Sequence, residues 1–279
     1  MPLNRKVSII SFLIILLASF YSYKYYKKIH PKYILLPPRE ELTITIIPGW
    51  NLRNVAEYFV EQKIVSSTQD VYAITGRPAY DYRPVASMFP KLGDYKILTD
   101  KPAHVSYEGY LAPETYRIFK DASVKDVLVK LVAQREKQIT EEMLQDIKKS
   151  GRSFYEILIM ASILEKEVKF NSDRAKVADL LWRRYDKNWA LQVDSSVHYA
   201  VDKRGEVFTK KEEREFDSPW NTYKYPGLPL GPISNPGIVS ITAAIYPEKN
   251  SHWFFLTAKD GTVYYANTLE EHNANKKYL

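Results

Sequence analysis

Two carboxylates, Glu165 and Glu167, lie one residue apart at the end of the apolar segment ILIMASILEKEV, residues 157–168. A carboxylate in apolar surroundings is paired, protonated or functional, because burying an unpaired charge is unfavourable. On a helix, residues two apart point about 200° from each other, so these two side chains do not form a face-to-face acid/base pair. Apolar residues surround the whole helix, so periodicity does not say which glutamate faces a cleft. The alternative is that both reach solvent near the end of the helix or pair with Lys166, Lys169 or Arg174.

Other common chemistries find no support in the sequence. The chain has no cysteine, which excludes thiolate catalysis, disulfides and cysteine-rich zinc sites. The motifs G-x-S-x-G, G-x-x-x-x-G-K-[ST] and G-x-G-x-x-G are absent. The five histidines show no metal-ligand spacing: His30, His104, His198, His252 and His272. The sequence therefore predicts neither a metal nor a cofactor.

The basic charge is confined to the N-terminus. The formal net charge is +7, and seven of the 40 Lys and Arg residues precede Glu40, whereas all 33 Asp and Glu residues lie from Glu40 onward. Residues 40–279 are therefore formally neutral, which argues against a nucleic-acid-binding face.

An uncharged segment, residues 7–23, lies between Arg5-Lys6 and Lys24 and is followed by tyrosines. It is short but can span a bilayer, which would place residues 1–6 and the rest of the chain on opposite sides of the membrane. A cleaved signal peptide is the alternative, yet no small-x-small site follows Ala18-Ser19. We therefore expect an uncleaved transmembrane anchor.

The rest of the chain has an α+β pattern. Residues 24–41 read as a basic linker, and residues 42–90 as a small module with a strand, a helix capped by Asn51 and a second helix from Ser67. Residues 91–279 form a larger α+β domain. Its expected elements are a helix capped by Ser123 and running to about Lys149, a helix capped by Ser153 and Glu156, a helix over 173–186, a rigid Pro/Gly loop over 225–237 and a hairpin turning at Asp260-Gly261.

Five segments resemble, in order and approximate spacing, the YceG-like, or MltG-type, endolytic murein transglycosylases. They are EGYLAPETY (108–116), ASILEKEV (161–168), LQVDSSVHYA (191–200), SPWNTYKYPGLPLGPISNPG (218–237) and FFLTAKDGTVYYANTLEEHN (254–273). The resemblance covers essentially the whole chain. It implies an N-terminal membrane helix, a LysM-like module at 42–90 and a catalytic domain at 91–279.

The resemblance also implies an activity. Such enzymes cleave the β-1,4 bond between N-acetylmuramic acid (MurNAc) and N-acetylglucosamine (GlcNAc) in nascent peptidoglycan strands without water, leaving 1,6-anhydro ends. Glu165, the first glutamate of the E-K-E triplet, then acts as general acid and base, kept protonated by the apolar helix. The implied location is the bacterial inner membrane, with the N-terminus cytoplasmic and the catalytic domain outside. Peptidoglycan synthases are the implied partners, and termination of glycan elongation the implied role.

Polar and aromatic residues of the same segments are candidates for sugar binding: Glu108, Gln192, Asp194, Ser195, Trp220, Asn221, Thr222, Tyr223 and Asn235. The alternative is that these residues brace the Pro/Gly loop. Two other functions stay open, namely a hydrolytic muramidase with Glu108 or Asp194 as second carboxylate, and a non-catalytic wall-binding scaffold.

Overall fold

A computed structural model describes residues 3–29, 38–85, 89–204 and 210–279, with side chains from residue 9 onward. Contacts divide the chain into a unit up to Arg39 and a second unit from Glu40 to Leu279. The first unit contains the helix α1, Leu3–Ile29. Its segment Ile9–Ile29 is long and apolar enough to cross a membrane, and its side chains are exposed. The helix continues past the predicted 7–23 span into the predicted linker, whose residues 30–37 lie outside the described part.

The second unit mixes helices with two small antiparallel sheets, which confirms the α+β class. Its strands pair as β1 with β2, from Glu41↔Phe119 to Thr45↔Thr115, and as β3 with β4, from Phe254↔Ala266 to Thr257↔Val263. In chain order the elements are β1 Glu41–Thr45, α2 Leu52–Glu61, α3 Thr68–Thr75, β2 Thr115–Phe119, α4 Val124–Gln138, α5 Glu141–Lys149, α6 Phe154–Glu167, α7 Asn171–Asp186, α8 Asp194–Ala200, α9 Lys211–Arg214, α10 Ile238–Ile245, β3 Phe254–Thr257, β4 Val263–Ala266 and α11 Leu269–Asn275.

The first sheet joins the two regions that the sequence separates. Strand β1 belongs to the predicted module at 42–90, whereas its partner β2 belongs to the predicted domain at 91–279. The two regions therefore share backbone hydrogen bonds within one compact unit. The LysM-like character of residues 42–90 and a boundary near residue 90 stay predictions.

Helix capping follows the sequence closely. The Asn51 side chain accepts hydrogen bonds from two backbone N–H groups at the start of α2, and Ser153 forms a capping box with Glu156 at the start of α6. The prediction of one helix from Ser123 to about Lys149 is wrong. Helix α4 ends at Gln138, and Thr140 caps a separate helix α5 by accepting from the backbone N–H of Met143.

Helix α6 lies at the centre of the core. Every residue from Ile157 to Leu164 is buried, and the helix packs against α5, α7, α8 and α10. A helix that is apolar all round is expected to be enclosed by other elements. Burial on all sides thus explains the segment ILIMASIL, and only the last turn, with Glu165 and Glu167, reaches the edge of the core.

The other two predicted features are confirmed. The hairpin β3–β4 turns at Gly261, whose φ of +100° suits glycine. The loop over residues 225–237 docks on residues 49–50, because Asn235 donates its backbone N–H to the Trp50 carbonyl at 2.7 Å and accepts from Gly49 N at 2.9 Å. These bonds fix the loop against the start of α2, and Gly237 N, which donates to Glu165, fixes it against the end of α6.

Candidate active site

A cleft of about 1040 Å³ opens at the C-terminal end of α6. Its walls come from the end of α6, the start of α8, the first turn of α2, the β3 strand and α11. Helix ends and a short hairpin surround it, so side chains from distant parts of the sequence meet there. A concave site of this size suits a ligand of several rings.

Glu167 lies in this cleft. Its Oε1 accepts a hydrogen bond from the backbone N–H of Ser195 at 3.1 Å. Burial raises the pKa of Glu167, and the negative charge of Asp194 adds to the rise, whereas Ser195 and Lys166 oppose it. A carboxyl group in this setting keeps its proton at higher pH than an ordinary glutamate, which is the property a general acid requires.

Glu165 lies on the other side of α6 and outside the lining of the cleft. Its Oε1 accepts from Arg174 Nη2 at 3.1 Å, and its Oε2 accepts from Gly237 N at 2.9 Å and Ser240 Oγ at 2.8 Å. The Glu165 and Arg174 side chains are only 7% and 10% exposed. The sequence predicts an apolar setting for Glu165, but the start of α10 and Arg174 bring three donors to it. Glu165 therefore ties α6 to α7 and α10.

Four of the predicted sugar-binding residues do line the cleft: Gln192, Asp194, Ser195 and Tyr223. Asp194 Oδ1 accepts from the Tyr223 hydroxyl at 2.6 Å. Burial, together with Asp194, raises the pKa of Tyr223 well above its ordinary value, so the phenol stays a neutral donor. Gln192 has a φ of +55° and an exposed side chain at the cleft wall.

The other five are buried away from the cleft, as the loop-bracing alternative describes: Glu108, Trp220, Asn221, Thr222 and Asn235. Trp220 donates from Nε1 to the Gly231 carbonyl at 3.1 Å, so its ring packs inside and offers no surface to a sugar. Thr222 Oγ1 accepts from Val193 N at 3.1 Å and thereby supports the start of α8.

Glu108 is the most connected of these buried groups. Both of its oxygens lie 3.0 Å from the backbone N–H of Leu52, and it accepts from the Tyr199 hydroxyl at 3.0 Å and from Asn235 Nδ2 at 3.2 Å. Burial raises the pKa of Glu108 to about 7, against these hydrogen bonds and the nearby Arg53 charge. Glu108 thus fixes the first turn of α2 and supports Tyr199, a residue of the cleft wall.

Sequence reasoning missed the cationic and aromatic side of the cleft. Arg184 donates to the carbonyls of Trp253 and Leu191, and burial lowers its pKa to about 10. Phe254 stacks on His272 with ring centroids 5.5 Å apart. The one available signal was the basic side of the helix over 173–186, which carries Arg184. Nothing local pointed to the others, because only the fold brings them together.

Comparison with known proteins places the chain in a family. A family model described as the YceG-like family matches residues 22–278. An endolytic murein transglycosylase of Bacillus subtilis (strain 168) is 32% identical over 238 residues, covering 85% of this chain and 65% of its own length. An endolytic murein transglycosylase of Streptococcus pneumoniae serotype 2 (strain D39 / NCTC 7466) is 27% identical over 241 residues. The match covers 84% of this chain and 44% of that relative, so the chain spans less than two thirds of either.

A solved structure supports the same assignment. The 2.6 Å crystal structure of a YceG-like protein from Listeria monocytogenes superposes with a TM-score of 0.69 at 33% identity, covering 86% of this chain and 76% of that chain. The matched range, residues 22–278, contains Glu165 and Glu167. The chain belongs to the YceG-like family.

Proposed function

We propose that the protein is a membrane-anchored endolytic lytic transglycosylase that cleaves peptidoglycan glycan strands. The observation that carries the proposal is the half-buried carboxyl group of Glu167 in the lining of a cleft large enough for several sugars, where burial raises its pKa. The names of the B. subtilis and S. pneumoniae relatives support the reaction and the substrate class.

We assign the acid/base role to Glu167 in place of Glu165. Glu167 lies in the lining of the cleft, where its carboxylate accepts from Ser195 N. Among the described residues, the Glu165 carboxylate accepts hydrogen bonds from Arg174, Gly237 and Ser240. Proton transfer needs a carboxyl group within hydrogen-bonding reach of the substrate, which favours Glu167.

One carboxyl group can perform both proton transfers. Protonated Glu167 donates to the glycosidic oxygen as the bond between muramyl C1 and that oxygen breaks. The muramyl 6-hydroxyl oxygen attacks C1 of its own ring, and the Glu167 carboxylate accepts the hydroxyl proton. The products are a 1,6-anhydro-MurNAc end and a free GlcNAc hydroxyl, and no water is consumed. The attack is intramolecular, so the nucleophile starts at a high effective concentration.

The helix α1 supports the proposed location. Its segment Ile9–Ile29 has the length and composition of a single-pass anchor. An N-terminus in the cytoplasm would place the cleft outside the inner membrane, where new glycan strands emerge from their synthases. In this proposal residues 42–90 serve as the LysM-like module that positions glycan, and cleavage terminates strand elongation.

A hydrolytic muramidase is the second candidate, and Asp194 is the observation that favours it. Asp194 lines the same cleft and lies close enough for its charge to raise the pKa of Glu167. Two carboxyl groups on either side of a glycosidic bond can support hydrolysis. Glu108, the other predicted second carboxylate, is buried and does not line the cleft. A non-catalytic scaffold would not require an acid such as Glu167 in the cleft.

The experiment that tests the proposal is digestion of purified glycan strands by the full chain in detergent micelles, followed by mass spectrometry of the new ends. Anhydro-muramyl ends, one water lighter than reducing ends, support the lytic transglycosylase. Reducing ends would contradict the lytic reaction and indicate a hydrolytic muramidase. If the folded protein cleaves no strand, the non-catalytic wall-binding scaffold is the remaining function.

A further inference from the structure

The cleft concentrates positive charge in a unit that is formally neutral. Among the described residues its lining holds eight Lys or Arg side chains and three Asp or Glu side chains. Two of the eight, Lys203 and Arg204, pair with Glu213 and Glu57 from outside the lining. The remaining excess is still cationic, so the cleft attracts an anion.

Arg184 contributes positive charge to the cleft, and its hydrogen-bond acceptors are carbonyl groups instead of carboxylates. In the described part of the chain its hydrogen bonds go to backbone carbonyls, its guanidinium lies over the rings of Trp189 and Phe254, and it is 5% exposed. Carbonyl dipoles and aromatic rings do not neutralise a guanidinium, so Arg184 keeps its positive charge in the buried wall of the cleft. The field of Arg184 therefore extends into the cleft.

Arg53 supplies a hydrogen-bond donor with no acceptor. It lines the cleft, is only 9% exposed, and pairs through Nε with Asp202 at 3.2 Å. Its guanidinium lies over the Tyr199 ring at 5.0 Å, whereas Nη1 is buried and has no hydrogen-bond partner among the described residues. A buried donor left unpaired is unfavourable, and an arginine fork matches a carboxylate or phosphate.

We propose that Arg53 and the surrounding cationic wall bind a free carboxylate of the peptide stem carried by the muramyl residue, so that stem-bearing strands are the preferred substrate. This inference rests on the proposed function. The glycan backbone itself is uncharged, since its amino groups are acetylated and its lactyl carboxyl is joined to the peptide. The stem is the part of the strand that carries carboxylates. A pyrophosphate at a lipid-linked strand end presents the same anionic oxygens and is the competing source.

Binding of short probes to the full chain in detergent micelles tests the inference. The probes are a reduced GlcNAc-MurNAc disaccharide with a tetrapeptide stem, the same compound with its stem carboxylates amidated, and inorganic pyrophosphate. Dissociation constants come from isothermal titration calorimetry. We expect wild-type protein to bind the free-acid stem at least about tenfold tighter than the amidated stem, since a charge-assisted pair to a buried arginine is strong.

Variants assign the effect to Arg53. Arg53→Gln is expected to bind the two stems equally, and Arg53→Lys, which keeps the charge, to keep a reduced preference. Arg117→Gln, exposed on β2 outside the cleft, is the matched control and is expected to behave as wild type. Urea unfolding confirms that each variant is folded.

Three results would overturn the inference: equal binding of both stems by wild type, an undiminished preference in folded Arg53→Gln, or pyrophosphate binding that is tighter than the stem and lost in that variant. These probes lack the bond that the proposed reaction breaks. Failure of cleavage and failure of stem recognition are therefore separate results.

Discussion

Glu165 and Glu167 are two residues apart on α6, yet their carboxylates have different surroundings. Glu165 accepts from Arg174, Gly237 and Ser240 inside the protein, whereas Glu167 accepts from Ser195 N in the cleft. The angular offset of a helix produces this division, because residues two apart point about 200° from each other. One glutamate holds the fold together at the end of α6, and the other is presented to the cleft.

Breaking the ion pair between Glu165 and Arg174 is expected to lower the free energy of unfolding by a large amount. Both side chains are about nine-tenths buried. Glu165→Gln would leave the Arg174 charge without its partner, for which we expect about 3 kcal/mol less free energy of unfolding in urea. Glu141→Gln is the control, since Glu141 pairs with Lys96 at the surface with 69% of its side chain exposed, and about 0–1 kcal/mol is expected. Equal losses in the two variants would contradict a stabilising role for Glu165.

The raised pKa of Glu167 predicts the pH dependence of the cleavage rate. The acid must be protonated, so the rate falls as pH rises through that pKa, above the ordinary value of 4.5. The charge of Asp194 contributes to the rise. Asp194→Asn is therefore expected to move the falling limb of kcat to lower pH. A limb that stays in place or moves to higher pH would show that Glu167 is not the titrating acid.

Glu108 predicts a pH dependence of folding. Burial raises its pKa from 4.5 to about 7, so the folded state binds more protons than the unfolded state between these values. The Glu108 contribution to stability is complete below pH 4.5 and decreases as pH rises to about 7, by up to about 3 kcal/mol. Urea unfolding of wild type and Glu108→Gln across this range measures it. The variant should lose this decrease; an identical pH slope would contradict the assignment.

Substitutions of Trp220 and Tyr223, the two aromatic residues predicted to offer a sugar-binding surface, should have different effects on stability and KM. Trp220→Phe removes the bond from Nε1 to the Gly231 carbonyl, and we expect about 1 kcal/mol less stability with an unchanged KM. Tyr223→Phe removes the bond to Asp194 at the cleft wall, and we expect a higher KM with little change in stability. Steady-state kinetics and urea unfolding of both variants decide. A raised KM in Trp220→Phe alone would reverse this assignment.

The sequence predicts those features that depend on local chemistry. Asn51 and Ser153 cap their helices as expected, and Asp260-Gly261 turns the hairpin, because each effect involves neighbours in the chain. The break between α4 and α5 was missed, although Thr140 is itself a capping residue. Its signal competed with helix-favouring residues on both sides.

The site depends on contacts between distant residues, and there the sequence is less informative. Asn235 is a polar residue in a motif, but its bonds to Trp50 and Glu108 place it in the interior. Arg53 belongs to the cleft because its guanidinium lies over the ring of Tyr199 on α8, a contact that no local pattern contains. The same holds for the two glutamates, since only the position of α10 shows which one is enclosed.

The cleavage rates of Glu165→Gln and Glu167→Gln on purified glycan strands show which glutamate transfers the proton. The rate of new end formation is measured by mass spectrometry and divided by the amount of folded protein. We predict a loss of about 10²–10⁴-fold for Glu167→Gln and a change of less than about tenfold for Glu165→Gln. Cleavage that persists in Glu167→Gln but disappears in folded Glu165→Gln would contradict an acid/base role for Glu167.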